Sequence, residues 1–422
     1  MLGTDTNIIH AMDSEDPLRR FRDLFHYGDS DLIYLDGNSL GRVPRATMNH
    51  MHHVVKNEWG NELIRGWQNN WLTLQEKVGD KIGKLIGAEP GEVIIADSTT
   101  VNLYRLALAA VQYQRKKHRT RIVTDNLNFP SDVHVFYGIS DLVQGSRVEI
   151  IPSADGITGP TNDLIGALDD HTALLSLSHT VFKSGYTYDM TDVTARAHDA
   201  GAMVLWDLSH SVGALPIDLK KSRADLAVGC CYKYLNGGPG APAFLYVRKE
   251  LQEKLRSPLS GWFGQQNRGA MELEHQPADG IRGFLSGTPP ILSLSAIEPS
   301  VDMLLEAGME EIRKKSLALT DLMIHLFDAH LEPLGFTLNS PRNGKYRGSH
   351  ISLGHEEGWR ITQALIHEVN VLPDFRPPDN IRLGFAPLYT SYADVQTAVF
   401  RIRHVMAEKL YEKYPDDRTE IT

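Results

Sequence analysis

The chain has 422 residues, too many for one ordinary domain at about 150 residues each. It is 42% hydrophobic and 23% charged, and 43 Lys and Arg against 53 Asp and Glu leave a net charge of −10, which disfavours nucleic acid or an anionic membrane as a partner. No apolar run approaches the roughly 20 residues of a bilayer span, residues 1–20 lack the apolar core of a secretory signal, and the only cysteines, Cys230 and Cys231, are adjacent, which excludes a disulfide or structural-zinc scaffold.

Taken in chain order, residues 1–45 read as an arm that ends in the turn-rich Asp36-Gly37-Asn38-Ser39-Leu40-Gly41. Between about 93 and 250, short apolar runs alternate with longer amphipathic stretches. The runs are 93–96, 121–124, 148–151, 173–177, 203–206, 226–229 and 243–247. Nearly continuous apolar character marks strands buried on both faces, and strand–helix alternation predicts an α/β domain with a mostly parallel sheet over 46–290. After about 290 the rhythm changes. Apolar residues at 301, 304, 305, 308 and 312 predict one long helix over 296–330. Strand-like 348–353 and 380–385, a helix over 361–368 and a final helix over 393–414 complete a smaller α+β domain, 291–422.

In open α/β sheets, ligands bind beyond the carboxyl ends of the strands. Asp207 ends the run Met203-Val204-Leu205-Trp206 and is followed three residues on by His210. A carboxylate there needs a cationic or donor partner, although an Asp that merely caps the next turn also fits. Lys233 lies between Tyr232 and Tyr234 after another apolar run and before a glycine-rich turn. A poorly hydrated lysine favours its neutral amine, which forms Schiff bases; a stem packed on aromatic rings with its head in water is the alternative. Thr99 and Thr100 open a helix after the first run, where hydroxyls and free N–H groups suit a phosphate or simply form an N-terminal cap. Phe129 in Asn128-Phe129-Pro130-Ser131-Asp132 offers a stacking face or an ordinary helix start. Each signal is weak alone. Together, a phosphate site, an aromatic ring, a carboxylate and a Schiff-base lysine are the parts that hold pyridoxal phosphate.

With these parts in place the chain resembles the kynureninase family of fold type I pyridoxal phosphate enzymes, over about residues 30 to 400. The resemblance rests on 34–41, Asn128–Asp132, Trp206–Ser211, Tyr232–Gly240, Ser260-Gly261-Trp262-Phe263-Gly264 and Pro387-Leu388-Tyr389. It implies a seven-stranded, mostly parallel sheet and hydrolysis of L-kynurenine to anthranilate and L-alanine. It further implies Lys233 as the cofactor-bearing lysine and α-proton base, Asp207 on the ring nitrogen, and Tyr232 at the phosphate and as proton donor. Thr99 and Thr100 would hold the phosphate, Phe129 would stack on the ring, and Asp132, Ser178 and His210 would hydrogen-bond around it. Trp262 and Thr288 match positions that reach the cofactor from a neighbouring subunit, so a homodimer is expected, in the cytoplasm. Arg382 matches the arginine for the substrate α-carboxylate, with a structural carboxylate partner as the alternative. Asn38, Ser39 and Trp67 would line the substrate pocket. Thr288 stands where animal relatives have asparagine, which points to the bacterial, kynurenine-preferring branch.

Competing features are weaker. His50, His52 and His53 have no carboxylate or cysteine set to complete a metal site, and the basic run 115–121 falls where a helix should end, where positive charge suits the dipole. An aminotransferase shares much of the chemistry. A cysteine desulfurase would need a cysteine on a mobile loop, and a catalytically idle binding module should have lost Lys233, Asp207 or Arg382.

Overall fold

The computed structural model describes residues 6–416; the outermost residues of the predicted arm and of the predicted C-terminal domain lie outside them. All seven apolar runs form strands of a single sheet: β1 (Val93–Ala96), β2 (Arg121–Asp125), β3 (Arg147–Ile151), β4 (Thr172–Ser178), β5 (Met203–Asp207), β6 (Leu226–Gly229) and β7 (Ala243–Val247). Their order is β1-β7-β6-β5-β4-β2-β3. Only β7 is antiparallel to its neighbours. Because β7 opposes both β6 and β1, β1 runs in the same direction as β6, so the residues after β1 emerge on the same edge as those after β2, β4, β5 and β6.

The run-like character of six of these strands follows from burial on both faces; the edge strand β3 departs from that expectation, with Arg147 exposed and 148–151 only half-buried, because a neighbour covers just one of its sides. In β5, Val204 and Trp206 enter one apolar cluster while Met203 and Leu205 enter the other, and β1 and β7 alternate in the same way. Burying each such side chain is worth about 1.5–3 kcal/mol. A charged residue inside the buried strands would forfeit that gain, so ionisable groups collect at their ends.

The C-terminal part holds a second, four-stranded antiparallel sheet in the order Asp374–Arg376, Asn380–Gly384, His350–Gly354, Thr337–Leu338. Its core is a third apolar cluster drawn from 319–405, joined by Ile9, Ile33 and Leu35 of the predicted arm. The arm is stitched on by backbone: Ile33–Tyr34 pairs in parallel with Val371–Leu372, and the Gly384 N–H donates to Leu35 O at 2.6 Å. Turn 36–41 is thereby placed between the two sheets.

Two helices differ from expectation. The stretch 296–330 is broken into Ile297–Ala307 and Met309–His330 by Gly308, whose φ of 79° lies outside the helical region. Ile297, Val301 and Leu304 consequently pack with the large sheet, whereas Leu319, Met323 and Phe327 pack with the small one. The last helix, Tyr392–Ala407, opens with a capping box on Ser391 and Asp394 and stops short of 414, the chain turning at Lys409. Among the described residues no helix is long and apolar enough to cross a membrane.

Candidate active site

The shared strand edge gathers the polar residues. After β1, Ser98 caps the helix Thr99–Arg115 by accepting from the Val101 N–H. That leaves the Thr99 and Thr100 hydroxyls free of the capping role, and Thr100 Oγ1 lies 3.1 Å from Ser131 Oγ in the first turn of the helix Pro130–Leu142. Two helix N-termini and the Thr100 and Ser131 hydroxyls therefore meet at one point, where backbone N–H groups and both helix dipoles favour an anion. After β2, Asn128 accepts from Ser178 Oγ at 2.5 Å, tying the end of β4 to this loop. Phe129 is 42% exposed, its ring edge-on to Phe182 and 6.0 Å from Lys233 Nζ.

Lys233 follows β6 in the loop that leads to Asn236, whose φ is 54°. Its Nζ is 2.8 Å from His210 Nε2 and 5.9 Å from the Tyr232 ring. Gly41 of the arm donates its N–H to Tyr232 O, and a Cβ at Gly41 would fall 2.4 Å from Lys233 O, so only glycine lets the arm close against this loop.

Two carboxylates face the lysine. Asp207 is buried at the end of β5 and accepts the Ser209 N–H at 2.8 Å; burial pushes its carboxyl up, opposed by that hydrogen bond and by the Lys233 charge. Asp132 is raised well above the usual range by burial and then by the Asp207 charge, and its Oδ2 has no partner in the protein. His210 is held well below its ordinary value by burial and the Lys233 charge, so its ring is neutral. The Tyr232 phenol is raised by the neighbouring Cys230 thiol and by burial, and stays protonated at neutral pH.

The small sheet supplies a second polar cluster. Arg382 is 1% exposed. Its Nε donates to Asp374 Oδ1 at 2.8 Å and its Nη2 to Asp374 Oδ2, a bidentate pair set by the direct cross-strand register of the two residues. The remaining contacts are Nη2 to Ser39 Oγ at 2.8 Å, Nη1 to Phe182 O at 2.6 Å, and Nε to the Asn38 amide oxygen at 2.8 Å. Asn38 fits because residue 384 is glycine, where a Cβ would fall 1.8 Å from a terminal atom of the Asn38 amide. The structural-carboxylate alternative for Arg382 is thus realised, in Asp374. Burial raises Asp374, but the Arg382 charge and hydrogen bonds outweigh it and hold the carboxyl below the usual range.

A single chain brings together Lys233, Asp207, Asp132, His210, Tyr232 and Phe129, and links Arg382 with Asn38 and Ser39. His350 joins the two groups. It sits on the face of its strand that carries Arg382 across the ladder, its ring centroid is 5.6 Å from that of His210, and burial followed by the Arg382 charge pushes it down to about 3. Trp67, Trp262 and Thr288 are not brought to Lys233. Trp67 packs against Trp71 and Phe263, Trp262 is 47% exposed with its ring against Phe263, and Thr288 is exposed. Trp262 lines a surface cavity of about 330 Å³ with Met271 and Leu273. His350, Asp374 and Arg376 went unread in the sequence. An Asp opposite an Arg two strand positions from a second Arg is a legible pattern only once the hairpin register 374↔382 is known.

Residues 312–402 match the family model described as the kynureninase C-terminal domain. The kynureninase of Pseudomonas fluorescens is 41% identical over 97% of both chains, and that of Burkholderia pseudomallei strain K96243 is 42% identical over 94% of both. Among solved structures, a cysteine desulfurase from Thermococcus onnurineus NA1 superposes with a TM-score of 0.77 at 18% identity, over 94% of this chain and 98% of that one. The Escherichia coli cysteine desulfurase gives 0.78, also at 18%, over 94% and 99%. Those two show the fold alone: the sheet order and appended antiparallel sheet of fold type I. On full-length identity, the chain belongs to the kynureninase family.

Proposed function

We propose that the protein is a kynureninase, cleaving L-kynurenine with water to anthranilate and L-alanine with pyridoxal phosphate as cofactor. The observation that carries this reading is Lys233 Nζ held 2.8 Å from a neutral His210 and opposite Asp207 and Asp132, in a chain 41% identical to a kynureninase from end to end. The residues fit the cofactor. Asp132 Oδ2 and His210 Nδ1 are buried without a protein partner, and the paired helix N-termini beyond β1 and β2 suit its phosphate. When bound, it supplies an electron-accepting ring that stabilises negative charge at the substrate's α-carbon and then at the β-carbon.

Lys233 would hold the cofactor through Nζ, Thr99 and Thr100 its phosphate, and Phe129 one face of its ring. Asp207 would pair with the ring nitrogen, and Asp132, Ser178 and His210 would fix its other edges. Lys233, once released by substrate, is the base that carries the α-proton. Tyr232, protonated at neutral pH, is the acid that returns a proton to the leaving fragment. Arg382, with Asn38 and Ser39, receives the α-carboxylate, and Trp67, packed on Phe263 away from Lys233 of its own chain, would border the substrate's aromatic end only from a second copy.

Trp262 and Thr288 would reach the site of a second copy in a cytoplasmic homodimer. Exposed Trp59, Ile64, Trp262, Met271 and Leu273 support a partner-covered surface. A desulfurase reading is disfavoured because Cys230 and Cys231 are buried and burial raises both thiols, which keeps them protonated and poorly nucleophilic. Addition of L-kynurenine to the purified protein should produce anthranilate fluorescence. Transfer of the amino group to an added keto acid without anthranilate would make it an aminotransferase.

A further inference from the structure

Arg382 has little left to offer a ligand. Its Nε–Nη2 edge is filled by Asp374, the second Nη2 hydrogen by Ser39 and one Nη1 hydrogen by Phe182 O. A carboxylate asks for two donors side by side. The neighbouring guanidinium keeps a donor that its protein partners do not use. Arg376, on the edge strand beside Arg382, donates only through Nη2, to Asp374 Oδ2 at 2.6 Å and to Ser39 Oγ at 3.4 Å. Its Nε is buried with no partner, its side chain is 32% exposed, and its charge acts on His210 beside Lys233.

The charges in this cluster do not balance internally. Two guanidiniums face Asp374, which is firmly ionised, and Asp36, whose carboxyl is pushed up to about 7 by burial and then by the Asp374 charge. Below that pH the cluster carries an excess positive charge in a buried setting, which an incoming anion relieves.

We infer that Arg376 is a second carboxylate-binding residue, receiving the substrate's α-carboxylate jointly with Arg382 while Asp374 holds the two guanidiniums in register. This deepens the kynureninase reading and rests on it. Arg382 contributes its remaining Nη1 hydrogen and its field, and Arg376 contributes its charge and its unpartnered Nε–H.

The test compares Arg376→Gln and Arg376→Lys with the parent, each as cofactor-loaded enzyme. L-kynurenine is the substrate, and its analogue with hydrogen in place of the α-carboxylate is the competitive binder. Loss of a charge-assisted pair predicts that Arg376→Gln raises KM for L-kynurenine at least about tenfold with kcat within a few-fold, and leaves the analogue's inhibition constant and the cofactor absorbance unchanged. Arg376→Lys, which keeps charge without a planar edge, falls between. An unchanged KM, or equal weakening of substrate and analogue, overturns the assignment. If Arg376→Gln fails to load cofactor, the lysine variant decides: an unchanged KM there refutes the inference. Failure of the parent enzyme to release anthranilate is a separate result, and strikes the function rather than Arg376.

Discussion

Asp374→Asn is the most informative single change, because shape is kept and only charge is lost. Arg382 and Asp374 have side chains 1% and 3% exposed, and Asp374 also accepts from Arg376 and from Ser39 Oγ at 2.8 Å. Removing one member of a buried pair leaves an uncompensated charge and costs about 3–5 kcal/mol. Here two cations lose their shared anion, which argues for the upper end. Asp36 opposes this: without the Asp374 charge its carboxyl ionises more readily and supplies part of the missing negative charge. The expected net cost is therefore about 3 kcal/mol at neutral pH and larger in mild acid, where Asp36 is protonated. Urea unfolding of parent and variant at one fixed cofactor concentration measures it, since bound cofactor itself shifts the midpoint. A cost below about 1 kcal/mol would mean that Asp374 does not hold Arg382, and the architecture described for the carboxylate end would be wrong.

Asp207→Ala should lower kcat by at least about a hundredfold, because a fixed charge at the electron-accepting ring is lost; an undiminished rate contradicts the role given to Asp207. The KM for L-kynurenine should rise as pH climbs through about 7, since Asp36 gains its negative charge there and opposes the substrate carboxylate; Asp36→Asn, a mimic of the neutral acid, should flatten that limb of the profile. The same raised carboxyl weakens the fold as pH rises from the unfolded-state value towards 7, so Asp36→Asn should unfold at higher urea than the parent at neutral pH, and an equal midpoint removes the buried-acid argument.

The large sheet was legible because all its strands but the edge strand Arg147–Ile151 are buried, which forces near-continuous apolar runs and leaves charged residues at the ends, where Asp207 was found and beyond which Lys233 and Thr99 follow. The break at Gly308 was not, since Val301, Leu304, Leu305 and Ile312 keep helical spacing on both sides of it and all pack on the same core, the helix passing to the other core only from Leu319. Strands as short as Thr337–Leu338 and Asp374–Arg376 carry too few residues for periodicity to register. That omission hid Asp374 and Arg376, whose meaning depends on pairing across a hairpin. His350 looked like any histidine at a strand start, and only its burial between Lys233 and Arg382 distinguishes it. Trp262 and Thr288 could be named from the family pattern, but nothing in one chain positions them.

The central claim is that Lys233 carries the cofactor. Borohydride reduction of the loaded enzyme, followed by proteolysis and mass mapping, should place a reduced pyridoxyl group on the peptide that contains Tyr232-Lys233-Tyr234 and on no other. A label on a different lysine, or none in a preparation that converts L-kynurenine, would contradict it.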